Sequence, residues 1–441
     1  MFIVICHPSV DGDGVNLLAE APPPTLSPSP ETVGVELSEP ENSESFHDAL
    51  FAPTENRDTD QVTMRFVRGV DEALSSLSEP ESESDSLTEK VYNGDPFYEP
   101  GYPGGGTRPL KQSDVSFDAH AFENILGPGA YIVLFLYWFV SHKIHLLTSV
   151  PSKDMMKYLL AVYKMTLDCP FSNRIHTLDA LQMAIVTSAS FQSNPHSARL
   201  MPPIVRFILL LAVVSRNIDR PGISLDYAHN TWNSVVVMHG PVAPFEKQAC
   251  LVALHLLTHT GILGHMRRGS TILFREAVVA TNSRNIQPLR YIVRRRTFSV
   301  PYREFGTTDL VPSALLRPDS DLGRTQTLIL KVLALTASIG NAARPWQTTQ
   351  RFGRNRTRQS FGSGCLESEA GLVVPPRRCM DRDPEFICST CQLEFCRERV
   401  VPFLDAVQGM AMRHRLVCLE RTFAVLLRQA RRNQSHWEEC Q

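Results

Sequence analysis

The residues best equipped for chemistry fall into a few short runs. One is Pro170-Phe171-Ser172-Asn173-Arg174-Ile175-His176-Thr177-Leu178-Asp179-Ala180-Leu181-Gln182, and a second is Arg216-Asn217-Ile218-Asp219-Arg220-Pro221-Gly222. His255 and His259 stand at i, i+4, as two zinc ligands on a helix do, but Leu256 occupies the place of the glutamate such a pair needs. They read as an accidental pair. Cys388-Ser389-Thr390-Cys391, with Cys379 and Cys396 nearby, has the spacing of half a zinc knuckle. A second pair at ligand spacing is missing, so these read as buried or surface thiols. Arg294-Arg295-Arg296 and the arginines from Arg351 to Arg358 could meet phosphates or an acidic surface, although solvated loop charge is the commoner use.

The elements that must position these groups follow from length, charge and periodicity. A chain of 441 residues, 43% apolar and 20% charged, is long enough for one large core or two ordinary ones. Its net charge of −2 conceals an asymmetry: residues 1–110 hold 21 acidic and 5 basic residues, so an acidic segment of −16 precedes a body of +14. Such asymmetry points weakly to nucleic acid or to a tail folding back on the body. The acidic stretch 31–99 is a candidate partner in cis for the arginine clusters. Ten cysteines, seven of them after residue 364, do not make a disulfide scaffold. The N-terminus lacks the basic flank and apolar region of a signal peptide, and runs such as Ala130–Val140 fall short of the roughly 20 residues a spanning helix needs. The expectation is a cytoplasmic protein with no membrane span.

Residues 21–100 are rich in Pro, Ser and Glu and bury too little apolar surface to offset the entropy of ordering them, so 1–111 is expected to be disordered. The folded region should begin near residue 112, after Tyr102-Pro103-Gly104-Gly105-Gly106, and run to about 430, with 431–441 as a tail. Its pattern is helical. Met155, Leu159, Leu160, Val162 and Tyr163 share a face after a Pro151-Ser152-Lys153-Asp154 start, and Leu178, Leu181, Ile185 and then Leu328, Val332, Leu335, Ile339 repeat the spacing. Two stretches rich in Arg, Ser, Thr and Gly, Ile286–Arg324 and Gln347–Gly364, read as loops or insertions. The fold class is all-α.

Taken in order, the two chemical runs and five later elements resemble the class I 3',5'-cyclic-nucleotide phosphodiesterases. Pro170–Gln182 resembles the family's Pro-Tyr-His-Asn-x-x-His-Ala-x-Asp-Val-x-Gln, and Arg216–Gly222 falls where His-Asp-x-Asp-His-Pro-Gly belongs. Asn230-Thr231 through Phe245-Glu246-Lys247-Gln248-Ala249, then Ala280-Thr281-Asn282, Ala337 to Pro345, Gly371-Leu372 and Gln392-Leu393-Glu394-Phe395 continue the match, and Phe117-Asp118 fits its opening element. The resemblance covers about residues 115–415. It implies a multi-helix catalytic domain that hydrolyses cAMP or cGMP with two divalent metals, zinc plus magnesium or manganese.

Carried across residue by residue, the resemblance places two His and two Asp metal ligands at His176, Arg216, Asn217 and Ser338. Only His176 retains a ligand type. A guanidinium has no lone pair to donate, and at about 4 Å from a dication it repels by several kcal/mol even at an effective dielectric near 20. Ser172 stands at the general-acid histidine, and its hydroxyl does not titrate near neutrality. Arg220 replaces a histidine of the second metal's shell, and Gln248 and Ala249 replace a paired His motif. The nucleotide half is better kept: Gln392 stands at the purine-reading glutamine, Phe395 at the stacking aromatic and Asn341 beside the base, while Asn173, Asp179, Glu246 and Thr281 are supporting positions.

These residues lead to a phosphodiesterase-like protein without tightly bound metal, a pseudoenzyme acting by binding a cyclic nucleotide, a protein partner or an active paralogue, with no nucleic acid as partner. An alternative is a weakly active phosphodiesterase holding metal through His176, Asn217, Asp219 and water. A third is a decayed chain with no selected activity. For Arg216 and Arg220 two uses stand open: phosphate binding in place of the metals, or pairing with Asp179, Asp219 or Glu246.

Overall fold

The structure is a computed structural model that describes residues 115–192, 195–266, 268–295, 320–379 and 383–441. The acidic segment 1–111 and Arg296 lie outside the described residues. Helices of eight residues or more are α1 Ala119–Leu126, α2 Ala130–Ser141, α3 Ser152–Met165, α4 Arg174–Ala189, α5 Pro203–Ser215, α6 Pro244–His259 and α7 Arg268–Ala280. They continue with α8 Ile286–Arg295, α9 Asp321–Ile339, α10 Trp346–Glu369, α11 Pro384–Phe395, α12 Val401–Arg413 and α13 Val417–Glu439. Among the described residues there is one isolated bridge, Thr166 to Ile218, and no strand.

Three helices form the middle of the domain. α4 is buried without interruption from His176 to Ser188, α5 from Val205 to Ser215, and α9 nearly throughout. A helix buried on every side must be covered by other helices, and α4, α5 and α9 pack on one another with α2, α6 and α7 outside them. The segment Asp321–Ala343 is long and apolar enough to cross a bilayer, but 89% of its most apolar stretch is buried inside the protein, as in a core helix.

Local chemistry sets where the helices begin. Asn173 caps α4, its side-chain oxygen accepting from His176 N at 3.0 Å, so the cap fixes the imidazole one turn into the helix. Asp118 caps α1, Ser320 caps α9 and Asp383 caps α11 ahead of Pro384.

The structure corrects the two stretches expected as loops. Ile286–Arg295 is helical because Ile286, Leu289 and Val293 place one apolar stripe against the core. Its continuation 296–319 lies outside the described residues, and α9 already begins at Asp321. Gln347–Gly364 is part of the 24-residue helix α10. Its glycines are packing contacts rather than breaks. A Cβ on Gly353 would lie 3.1 Å from both Trp437 and Gln392, and one on Gly364 would lie 2.0 Å from the Arg378 carbonyl oxygen. Gly364→Ala is therefore expected to destabilise the protein by about 1–3 kcal/mol, seen as a lower urea midpoint. An unchanged midpoint would mean that the Pro376–Arg378 turn can retreat.

The expected tail also changes. Residues 431–439 are the last turns of α13, because Leu426, Leu427, Ala430, Asn433 and Trp437 carry a buried stripe through them. Asn433 donates to the carbonyls of Ala342 and Arg344 at 2.9 and 2.7 Å, and Trp437 packs edge-on against Trp346 with ring centroids 4.5 Å apart.

Candidate functional site

Where α4, α5 and α9 converge, three of the four residues at expected ligand positions form one hydrogen-bonded group. Arg216, at the end of α5, directs Nη1 to Ser338 Oγ at 2.5 Å, and that hydroxyl donates to the Thr281 carbonyl at 2.8 Å. His176 Nε2 lies 3.1 Å from the Asn341 side-chain amide and 3.3 Å from the Ser338 carbonyl oxygen, while Nδ1 has no partner among the described residues. Phe171 covers the imidazole at 4.1 Å between centroids. The fourth, Asn217, points its amide to Thr177 Oγ1 at 3.0 Å and to the Asn173 carbonyl at 3.4 Å. All five of His176, Arg216, Asn217, Ser338 and Asn341 are buried.

The charges in this region are sorted into separate pairs. Asp179 belongs to Arg344, with Nε donating to its carboxylate at 2.7 Å and both side chains 0% exposed. Arg220 pairs with Glu246 at 2.7 Å, and Asn282 donates to the other Glu246 oxygen at 2.8 Å. Asp219 accepts from Gln248 at 3.0 Å. The pairing expected for the two arginines thus holds for Arg220 and fails for Arg216, because each nearby carboxylate already has another donor. Among the described residues Arg216 keeps Nε and Nη2 without partners, and burial followed by the nearby Arg220 pushes its pKa down to about 9. It remains a cation at neutral pH.

That cation acts on His176. Burial, then Arg216 and Arg356, holds the imidazole well below its ordinary 6.5. The folded state therefore stays neutral where the unfolded chain takes up a proton, so stability is complete above 6.5 and is lost as pH falls through and below it, by at most about 1.4 kcal/mol per pH unit. His120 and His142 are lowered by burial and add to the same trend. The urea midpoint should fall between about pH 7.5 and 5.5, and fall less in His176→Gln. Equal falls would assign the effect to the other histidines.

A cleft of about 370 Å³ lies beside this buried group, lined by Ser172, Arg220, Arg356, Gln392, Phe395 and neighbouring residues. Gln359 from α10 accepts from the backbone N–H of Phe171 and Ser172 at 3.0 and 2.9 Å and donates to Ser172 Oγ at 3.3 Å, so the Ser172 hydroxyl is tethered. Gln392 and Phe395 come together as expected, but Asn341 is turned to His176 instead of the cleft. An i→i+5 turn, Cys396–Val400, follows Phe395 directly and joins α11 to α12. The guanidinium of Arg356 sits over Phe395 at 4.5 Å and over Phe171 at 4.6 Å.

Sequence reasoning missed Arg344, Gln359, Asn282 and the role of Arg356. Once α10 is known to be a helix, Phe352, Arg356, Gln359 and Ser363 fall on one side at spacings of four, three and four. Among the described residues no three His, Cys, Asp or Glu side chains gather as a metal-holding group.

Residues 171–419 match the family described as 3'5'-cyclic nucleotide phosphodiesterase, which is more than half of the chain. The chain belongs to that family. The phosphodiesterase region is 23% identical over 264 residues to the high affinity cGMP-specific 3',5'-cyclic phosphodiesterase 9A of Drosophila melanogaster, a match covering 59% of this chain and 16% of the fly protein. It is 22% identical over 220 residues to the human high affinity cAMP-specific and IBMX-insensitive 3',5'-cyclic phosphodiesterase 8A, covering 46% of this chain and 25% of that protein. The chain thus spans well under half the length of these two relatives. The fold is similar to the phosphodiesterase domain of the Salpingoeca rosetta rhodopsin phosphodiesterase, with a TM-score of 0.61 at 14% identity over 75% of this chain and 92% of that one.

Proposed function

We propose that this phosphodiesterase-family protein does not hydrolyse cyclic nucleotides by the metal-dependent route and acts by binding. The observation that carries the reading is the 2.5 Å contact from Arg216 Nη1 to Ser338 Oγ, which ties together two positions that by resemblance carry metal ligands. Around His176 the donor set offers an imidazole already engaged by Asn341, an amide committed to Thr177 and a serine hydroxyl, with a guanidinium among them and no carboxylate. Such a set does not fit a divalent cation, which needs anionic oxygens or free imidazole nitrogens. The weakly active alternative has less support, since Asp219 is held by Gln248.

Calorimetric titration of the full chain with manganese and with zinc, with cAMP and cGMP hydrolysis assayed on the same samples, tests the reading. The expected result is no saturable metal binding at micromolar concentration and no turnover above buffer. Micromolar binding accompanied by turnover would overturn it, and would mean that Arg216 swings away from the site.

A further inference from the structure

The cleft beside the buried group carries more positive charge than the protein neutralises. Arg220, Arg356, Arg377 and Arg399 line it together with one carboxylate, Glu394. Glu394 is taken by Arg377 at 2.7 Å, and Arg220 has Glu246. The side chains of Arg356 and Arg399 make no hydrogen bond or ion pair among the described residues. Arg216 stands behind them, buried, with two of its guanidinium nitrogens unpartnered among the described residues.

The grip on Arg356 decides what the cleft can take. Phe171 and Phe395 hold the guanidinium by ring faces at 4.6 and 4.5 Å. Cation–π contact of this kind stabilises the charge but satisfies none of the N–H donors. Arg356 therefore covers the aromatic face on which a base would stack, while its donors remain available to an anion. Two cations without carboxylates favour a dianion over a singly charged cyclic diester. The hydroxyls of Ser172 and Ser360 on the same wall suit the remaining oxygens.

We propose that this cleft is a metal-independent site for a phosphate dianion, free or carried as a phosphomonoester, with Arg356 as the central donor and Arg399 and Arg220 beside it. The proposal rests on the binding role inferred above, but it is tested separately, because the titration is run in EDTA.

The full chain is titrated calorimetrically with inorganic phosphate, AMP and cAMP, with chloride at matched ionic strength as control. Saturable 1:1 binding of phosphate is expected, with cAMP at least about tenfold weaker. Arg356→Gln and Arg399→Gln should each weaken phosphate by about tenfold to a hundredfold, the scale of a lost charge-assisted hydrogen bond. Arg354→Gln, two residues away on the opposite side of α10 and paired with Glu385 outside the cleft, should leave binding unchanged. AMP binding tenfold tighter than phosphate would identify an esterified ligand, and equal binding a free one. Absence of phosphate binding, cAMP binding tighter than phosphate, or equal losses in the Arg356 and Arg354 variants would each overturn the site. Metal binding with turnover in the absence of EDTA would instead overturn the reading on which it rests. Arg399 is exposed, so its variant keeps the test decisive if Arg356→Gln unfolds.

Discussion

Arg344→Met is expected to cost about 3–5 kcal/mol of folding stability, the scale for leaving one member of a buried ion pair without its partner. Arg344 and Asp179 are both 0% exposed. Beyond the carboxylate, the guanidinium donates to the Asp179 carbonyl at 2.9 Å and to the Val115 carbonyl at 3.1 Å, and it lies over Phe117 at 5.6 Å. The Arg344 backbone carbonyl in turn accepts from Asn433 in α13. One side chain thus ties the start of the described region to α4, and its backbone ties both to the last helix. Since domains of this kind are stable by only about 5–15 kcal/mol, the loss would be a large share of the total. Asp179→Leu should be comparably damaging, because it strands the guanidinium instead. The double variant should lose less than the sum of the two, since no buried charge is left unpaired. Urea midpoints for the four proteins of this cycle settle the matter. Strictly additive losses would show that the two groups act independently and that the pair is incidental.

The family resemblance was legible because it rested on short motifs whose positions are fixed by caps and turns. Asn173 and His176 are one cap and the first turn of one helix, so their spacing survives even where the chemistry has changed. The helices with strict apolar spacing, such as α9, were legible for the same reason. What failed was composition read as structure. α10 is polar and glycine-rich because it is wedged between the Pro376–Arg378 turn on one side and Trp437 and Gln392 on another, and glycine is what close approach demands there. A periodicity count limited to apolar residues cannot register that. The charge pairing was equally hidden. Nothing in the sequence says that Asp179 faces Arg344 across 165 positions while Arg216 receives only a serine hydroxyl. The arginines from Arg351 to Arg358, grouped as surface charge, divide on the helix: Arg354 is exposed and pairs with Glu385, whereas Arg356 turns inward between two phenylalanines.

Restoring the ligand types implied by the resemblance is expected to create a metal site. In Arg216→His, Asn217→Asp, Ser338→Asp the group around His176 would hold two imidazoles and two carboxylates. Manganese or zinc should then bind at about micromolar concentration, roughly 8 kcal/mol of binding free energy. The change removes one buried cation and adds two anions, so the His176 imidazole loses the repulsion of Arg216 and gains neighbours that favour a cation. Asp179 and Glu246 would not neutralise the new site, as each keeps its own arginine. Binding need not bring turnover with it. Ser172 cannot supply a proton near neutrality, and Gln359 tethers both its backbone and its hydroxyl. Adding Ser172→His should therefore raise cAMP or cGMP hydrolysis by about 100-fold or more over the triple variant, the usual contribution of a positioned general acid. A folded triple variant that still binds no metal would show that the backbone around α5 and α9 has drifted beyond ligand geometry. Equal turnover with and without the histidine at 172 would show that the proton comes from elsewhere, and would remove Ser172 from the grounds for the proposed loss of hydrolysis.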